Sequence, residues 1–112
     1  MTYIFDISWP GRALSPNGGR VHWTAKKRYK AEAYGAALAA GVRQSDRASI
    51  SVVFHPKPNG KAPDRDNCIS SFKMGQDGIA AALHIDDGEI TVTHTLSTER
   101  TGCVRVTVVT NG

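Results

Sequence analysis

Pro56, Pro58 and Pro63, with Asn59 and Gly60 among them, interrupt this chain near its middle. Each proline fixes φ and lacks a backbone N–H, and Asn-Gly favours turns, so no helix or strand can run through 56–63. The stretch is a loop between two segments of different periodicity. Before it, Ser49 to His55 alternates with Ile50, Val52 and Phe54 on one side, the period-2 pattern of a strand. After it, apolar residues recur at helical spacing, predicting a helix from about Asn67 to Leu83.

The flanks complete the pattern. Thr2 to Trp9 alternates, with Tyr3, Phe5 and Ile7 on one side, and reads as a first strand. Pro10 to Gly19 is a loop. Thr24 is a candidate N-cap for a helix over Ala25 to Ala40 that ends at Gly41, with Tyr29, Ala33, Ala36, Ala37 and Ala40 as its buried stripe. Glu89 to Ser97 and Cys103 to Thr110 read as strands around a turn at 98–102, with Val104, Val106 and Val108 on one face. The expectation is an α+β fold in the order β-α-β-α-β-β: a small sheet of about four strands with two helices. At 112 residues and 12.0 kDa, residues 1–112 make one domain with one core. A large substrate would have to lie on the surface, and a dimer would help to build that surface. No run approaches the roughly 20 apolar residues of a membrane span. Residues 1–6 show no basic segment leading into an apolar core, so no signal peptide is expected and the expected location is cytoplasmic. Cys68 and Cys103 read as free thiols.

Charge is unevenly distributed. Through Lys61 there are 10 Lys/Arg and 3 Asp/Glu, a net of +7, and from Ala62 onward 4 and 7, a net of −3. A basic region attracts phosphates and an acidic one attracts metal. Six of the ten acidic residues lie between Asp64 and Glu89. Clustered carboxylates repel one another unless a cation holds them. On one continuous helix at about 100° per residue, Asp66, Ser70, Lys73 and Asp77 fall within about 60° of one another, roughly opposite Ile69, Phe72, Ile79 and Leu83. Asp64 stands just before this stripe. Asp86-Asp87 would have to fold back, since a straight helix of that length separates them from Asp66 by about 25 Å.

Each part also has a plain reading: Asp66 or Asn67 as a helix cap, Asp86-Asp87-Gly88 as a turn, Lys73 paired with Asp77 at i,i+4. His22, His55, His84 and His94 have no metal-ligand spacing and are assigned to surface or core, with His22 a weak candidate for DNA contact. Together, Asp-x-Asp, a lysine on the same stripe and a second carboxylate pair match the chemistry of Mg²⁺, which takes a few carboxylates and completes its shell with water and substrate phosphate.

The run Asp64-Arg65-Asp66-Asn67, then Lys73, Asp77-Gly78 and Asp86-Asp87 before a strand, resembles the RusA-type Holliday junction resolvases. Ser15-Pro16-Asn17 after a strand, followed by a basic loop and helix, is similar to that family's opening segment. The resemblance covers roughly residues 3 to 108. It implies a small α+β homodimer acting as a crossover junction endodeoxyribonuclease on four-way DNA junctions. Asp64, Asp66 and Asp87 (Asp86 as fallback) would hold Mg²⁺, with Mn²⁺ a possible substitute, and Lys73 would be the site lysine. Two departures stand out. The family's lysine falls four residues after the second Asp, where this chain has Ser70, and the basic run before Asp-x-Asp is reduced to Lys57 and Lys61.

Arg12, Arg20, Lys26, Lys27, Arg28, Lys30, Lys57, Lys61 and Arg65 form the basic set expected to grip backbone phosphates. Two competing readings are a non-catalytic DNA-binding protein with a structural acidic cluster, and a small-molecule phosphohydrolase. These nine basic residues outside the site argue against the second, because a small substrate does not need them.

Overall fold

The computed structural model of the chain describes residues 1–11, 14, 23–85 and 89–111. Among them run β1 (Thr2–Ser8), α1 (Trp23–Ala39), β2 (Ala48–His55), α2 (Arg65–Ser71), α3 (Lys73–Leu83), β3 (Ile90–Leu96) and β4 (Cys103–Thr110). The fold is α+β with a four-stranded mixed sheet in the order β1-β4-β2-β3. β4 is antiparallel to both β1 and β2, while β3 runs parallel to β2. A parallel pair needs a long crossover, and α2 with α3 supply it. The last strand therefore inserts between the first two. Met1 and Thr110, the ends of the paired strands, exchange hydrogen bonds of 2.9 and 2.8 Å.

The alternation seen in the sequence sets the inner face. Ile7 pairs Val104, which pairs Phe54, which pairs Leu96; Phe5, Val106, Val52 and His94 make the next row. Val52, Phe54, Val104 and Val106 are fully buried. The opposite face carries Ser49, Ser51, Thr91, Thr93 and Thr95, at exposed or half-buried positions. Tyr29 and Ala33 of α1, Ile79 and Leu83 of α3, and Phe72 between α2 and α3 join one cluster with the inner face.

Two expectations need correction. The helix predicted over 67–83 is two helices, broken at Phe72 (φ −88°, ψ −3°). There the Phe72 amide donates to both Cys68 O and Ile69 O, 3.0 and 3.2 Å, which tightens the last turn of α2. The break lets the fully buried Phe72 ring sit edge-on to both Tyr29 and Phe54. Gly75 makes room for it, because a Cβ there would stand 2.9 Å from Phe72 Cε1. Aromatic packing has overridden helical continuity. The order is thus β-α-β-α-α-β-β. The second correction is local: α1 begins at Trp23, so Thr24 is inside it rather than capping it.

α1 packs on α3 and is tied to β1. The fit to α3 is close at Gly78, where a Cβ would collide with the Lys30 carbonyl and stand 3.1 Å from the Tyr34 amide. At the sheet edge, Glu32 accepts from both Ser8 N and Ser8 Oγ at 2.8 Å, and Tyr29 Oη donates to Ser8 O at 2.8 Å. Burial pushes the Tyr29 phenol far above its usual range, so it stays a hydrogen-bond donor. No helix among the described residues is long and apolar enough to cross a membrane.

Candidate metal and nucleic-acid site

The proline-rich loop is held in place from the β3–β4 turn. Arg100 donates from Nε to Lys57 O (2.7 Å) and from Nη2 to Gly60 O (3.1 Å). Gly102, at φ +83°, turns its amide onto His55 O and Pro56 O. These contacts fix a loop that cannot hydrogen-bond as a strand, and so fix where α2 starts.

Asp64 is the N-cap of α2. Its backbone is extended (φ −77°, ψ 133°), and Oδ1 accepts from the Asp66 amide at 3.0 Å. The first helical bond follows, from Cys68 N to Asp64 O at 3.0 Å. The cap is therefore Asp64 rather than Asp66 or Asn67. Asp66, in the first turn, also suits the positive end of the helix. Both carboxylates are exposed. Capping uses one lone pair of a carboxylate that offers about four, so Asp64 retains capacity for a cation. Two exposed carboxylates two residues apart fit the one or two that Mg²⁺ usually takes from protein.

The rest of the predicted stripe is divided. Asp66 and Ser70 lie on α2, Lys73 and Asp77 on α3. Lys73 Nζ is 3.5 Å from Asp77 Oδ1 in an i,i+4 pair, with side chains 60% and 32% exposed. No ion pair joins Lys73 to Asp64 or Asp66 among the described residues. Asp86 and Asp87, the expected third ligand and its fallback, lie outside the described residues. So do Arg12, Arg20 and His22. Among the described residues no group of three His, Cys, Asp or Glu is placed to hold a metal ion.

Beside α2 is a cleft of about 300 Å³ between Trp9, Lys57, Pro63, Asn67, Cys68 and Ser71. Lys57 brings a cation to its rim, and Asn67 and Ser71 bring polar groups from the helix face next to Asp64. Cys68 is buried there, and burial, reinforced by the Asp64 carboxylate, pushes its thiol above the usual range. A thiol kept protonated is no nucleophile. Cys68 and Cys103 are both free. Lys61 is exposed, as are Lys27, Arg28 and Lys30 on α1.

Arg65 does more than the sequence indicated. Its Nη2 donates to His94 O at 2.9 Å, pinning α2 to β3. His94 occupies an inward position, its ring stacked on Phe54 (6.1 Å, 7°), with Nε2 donating to Gln76 Oε1 at 3.2 Å. Burial first, and then the Arg65 charge, lower its pKa, so the ring is held neutral. The period-2 count from Val92 to Leu96 was the available signal for that inward position. Trp23, which the sequence did not single out, is 67% exposed with Lys26 Nζ 5.4 Å from its ring centroid.

No family model matches the chain. It is 38% identical over 90 residues to an uncharacterized protein of Xylella fastidiosa (strain Temecula1 / ATCC 700964). The alignment covers 72% of this chain and 58% of that protein, so the chain spans somewhat more than half of its relative's length.

Proposed function

We propose that the chain is a RusA-type, Mg²⁺-dependent endodeoxyribonuclease of branched DNA, acting as a homodimer that nicks a four-way junction at two symmetric positions. The observation that carries this is the first turn of α2: Asp64 and Asp66, both exposed, on a backbone fixed by the Asp64 cap and the Arg100 staple, beside a cleft that Lys57 lines. Asp64 and Asp66 would hold the ion, with Asp87 or Asp86 as the further ligand. The ion would supply charge for the scissile phosphate and acidify water. Lys57 and Lys61 would take backbone phosphates on either side, and the α1 cations would grip a neighbouring arm. Lys73 would serve the reacting phosphate by exchanging its Asp77 partner for it.

A second reading is favoured by specific contacts. Asp64 already caps α2, and Lys73 already pairs with Asp77, as expected of a DNA-binding protein whose acidic residues are structural. A synthetic four-way junction incubated with wild type and Asp66→Asn, with Mg²⁺ or with EDTA, separates the two. The nuclease reading expects metal-dependent nicking that Asp66→Asn reduces by more than the roughly 10–100-fold typical of losing an outer-shell partner. Junction binding without nicking by wild type would leave the structural reading standing.

A further inference from the structure

The spacing +4, +3, +4 that drew attention to Asp66, Ser70, Lys73 and Asp77 recurs in α1 as Trp23, Lys27, Lys30 and Tyr34. The acidic stripe is split between two helices, whereas this one lies on a single unbroken helix of 17 residues. At about 100° per residue the four fall within about 60°, and Trp23 and Tyr34 stand about 16 Å apart along the axis. Trp23 is 67% exposed and Tyr34 38%. Lys27 and Lys30 are exposed and have no ion-pair partner among the described residues. The first turn of α1 contains no acidic residue, and Glu32, the helix's one carboxylate, is occupied by Ser8.

A structural role does not explain this arrangement. Lys26, at the end of the first turn of α1, opposes the macrodipole, and Lys27 and Lys30 repel at i,i+3. The Trp23 indole at the same end is 67% exposed, and Lys26 Nζ lies 5.4 Å from its ring centroid. Such breaches of local preference mark functional surfaces. Two aromatic faces with cations between them suit one ligand chemistry: a strand whose bases are free to stack and whose phosphates need neutralising. Bases in a duplex are already stacked and cannot use the rings. The stripe also borders α3, because the Lys30 carbonyl and Tyr34 amide pack at Gly78, next to Asp77.

We infer that this face of α1 binds an unpaired nucleic-acid strand, with bases stacked on Trp23 and Tyr34 and phosphates on Lys27 and Lys30. The inference shares the nucleic-acid part of the proposed function but needs none of its metal chemistry. It is tested in EDTA by anisotropy of a labelled 12-nucleotide single-stranded DNA, the matching RNA and the matching duplex. Trp23→Ala and Tyr34→Ala should each weaken unpaired-strand binding about tenfold or more, the size base stacking carries, and leave duplex binding unchanged. Trp23→Phe and Tyr34→Phe should restore most of it. Lys27→Gln should flatten the salt dependence by about 0.7 in log–log slope on single strands. Binding of DNA and RNA alike supports a stacking-and-phosphate site, and a preference for either with the same aromatic dependence identifies the source. Because the assay is run in EDTA, it reads binding without any metal-dependent cleavage, so a failed nuclease reading leaves this result intact. Alanine variants that bind unpaired strands like wild type overturn the inference. So does light scattering that shows them losing a dimer at unchanged affinity, which would make the stripe a contact between copies.

Discussion

The first turns of α1 and α2 carry opposite charge, and only one of them obeys the helix dipole. α2 opens with Asp64 as cap and Asp66 in its first turn, both favourable at a helix N-terminus. α1 has Lys26 and no carboxylate in its first turn, which is unfavourable there, and Lys27, Arg28 and Lys30 follow in the next. Asp64 and Asp66, which look more like a site in the sequence, thus have a structural explanation. Lys27 and Lys30 have no ion-pair partner among the described residues, and their place between Trp23 and Tyr34 is what the inferred strand-binding face rests on. A chemical role for Asp64 and Asp66 has to be shown over and above their service to the helix.

Substitutions can press on that contrast from several sides. The largest stability effect should come from Gly78→Ala, where α3 meets α1. The added methyl faces backbone, which cannot swing aside, and overpacking of this kind costs about 1–3 kcal/mol. Chemical denaturation should show that loss while the salt dependence of nucleic-acid binding stays as in wild type, since no charge has moved. Asp64→Ala removes the α2 cap and should cost about 0.5–2 kcal/mol in the same assay.

A smaller effect belongs to His94. Its folded pKa is lowered from 6.5 by burial and by Arg65, so the unfolded chain binds the proton more readily. Stability should therefore be level above about pH 6.5 and fall as pH drops below it, through the window down to the folded value. His94→Phe should remove that part of the pH dependence of the melting temperature. The smallest expected change is the reverse of the usual one: Lys27→Glu should stabilise α1 by about 0.2–0.5 kcal/mol, by turning a like-charge i,i+3 contact with Lys30 into an attractive one. It should at the same time weaken nucleic-acid binding. A destabilised Lys27→Glu variant would mean that the α1 cations serve the fold.

Much of the fold is legible because burial alternates where the sequence alternates. Ile50, Val52 and Phe54, and Val104, Val106 and Val108, point inward as their period-2 spacing requires. α1 ends at Ala39, just before Gly41, whose φ of +97° suits glycine. The sheet order was not legible, since nothing local tells β4 to enter between β1 and β2; that choice rests on long-range pairing. Nor was the break at Phe72, because a single non-helical residue barely disturbs apolar periodicity while it divides a polar stripe. Of the candidate site, the proximity of Asp64 and Asp66 could be read directly from their separation of two residues. The Arg100 staple and the Arg65–His94 bond could not, since each joins residues about 30 or more apart in the chain and neither has a sequence signature.

The most direct test of a chemical role at α2 is Asp64→Asn, measured for both stability and metal-dependent junction cleavage. Asparagine caps a helix about as well as aspartate but carries no charge for a cation. If the Asp64 carboxylate holds Mg²⁺ for phosphodiester hydrolysis, the variant will melt like wild type and fail to cleave a four-way junction. Cleavage at the wild-type rate by a fully folded Asp64→Asn would contradict it and leave Asp64 a helix cap.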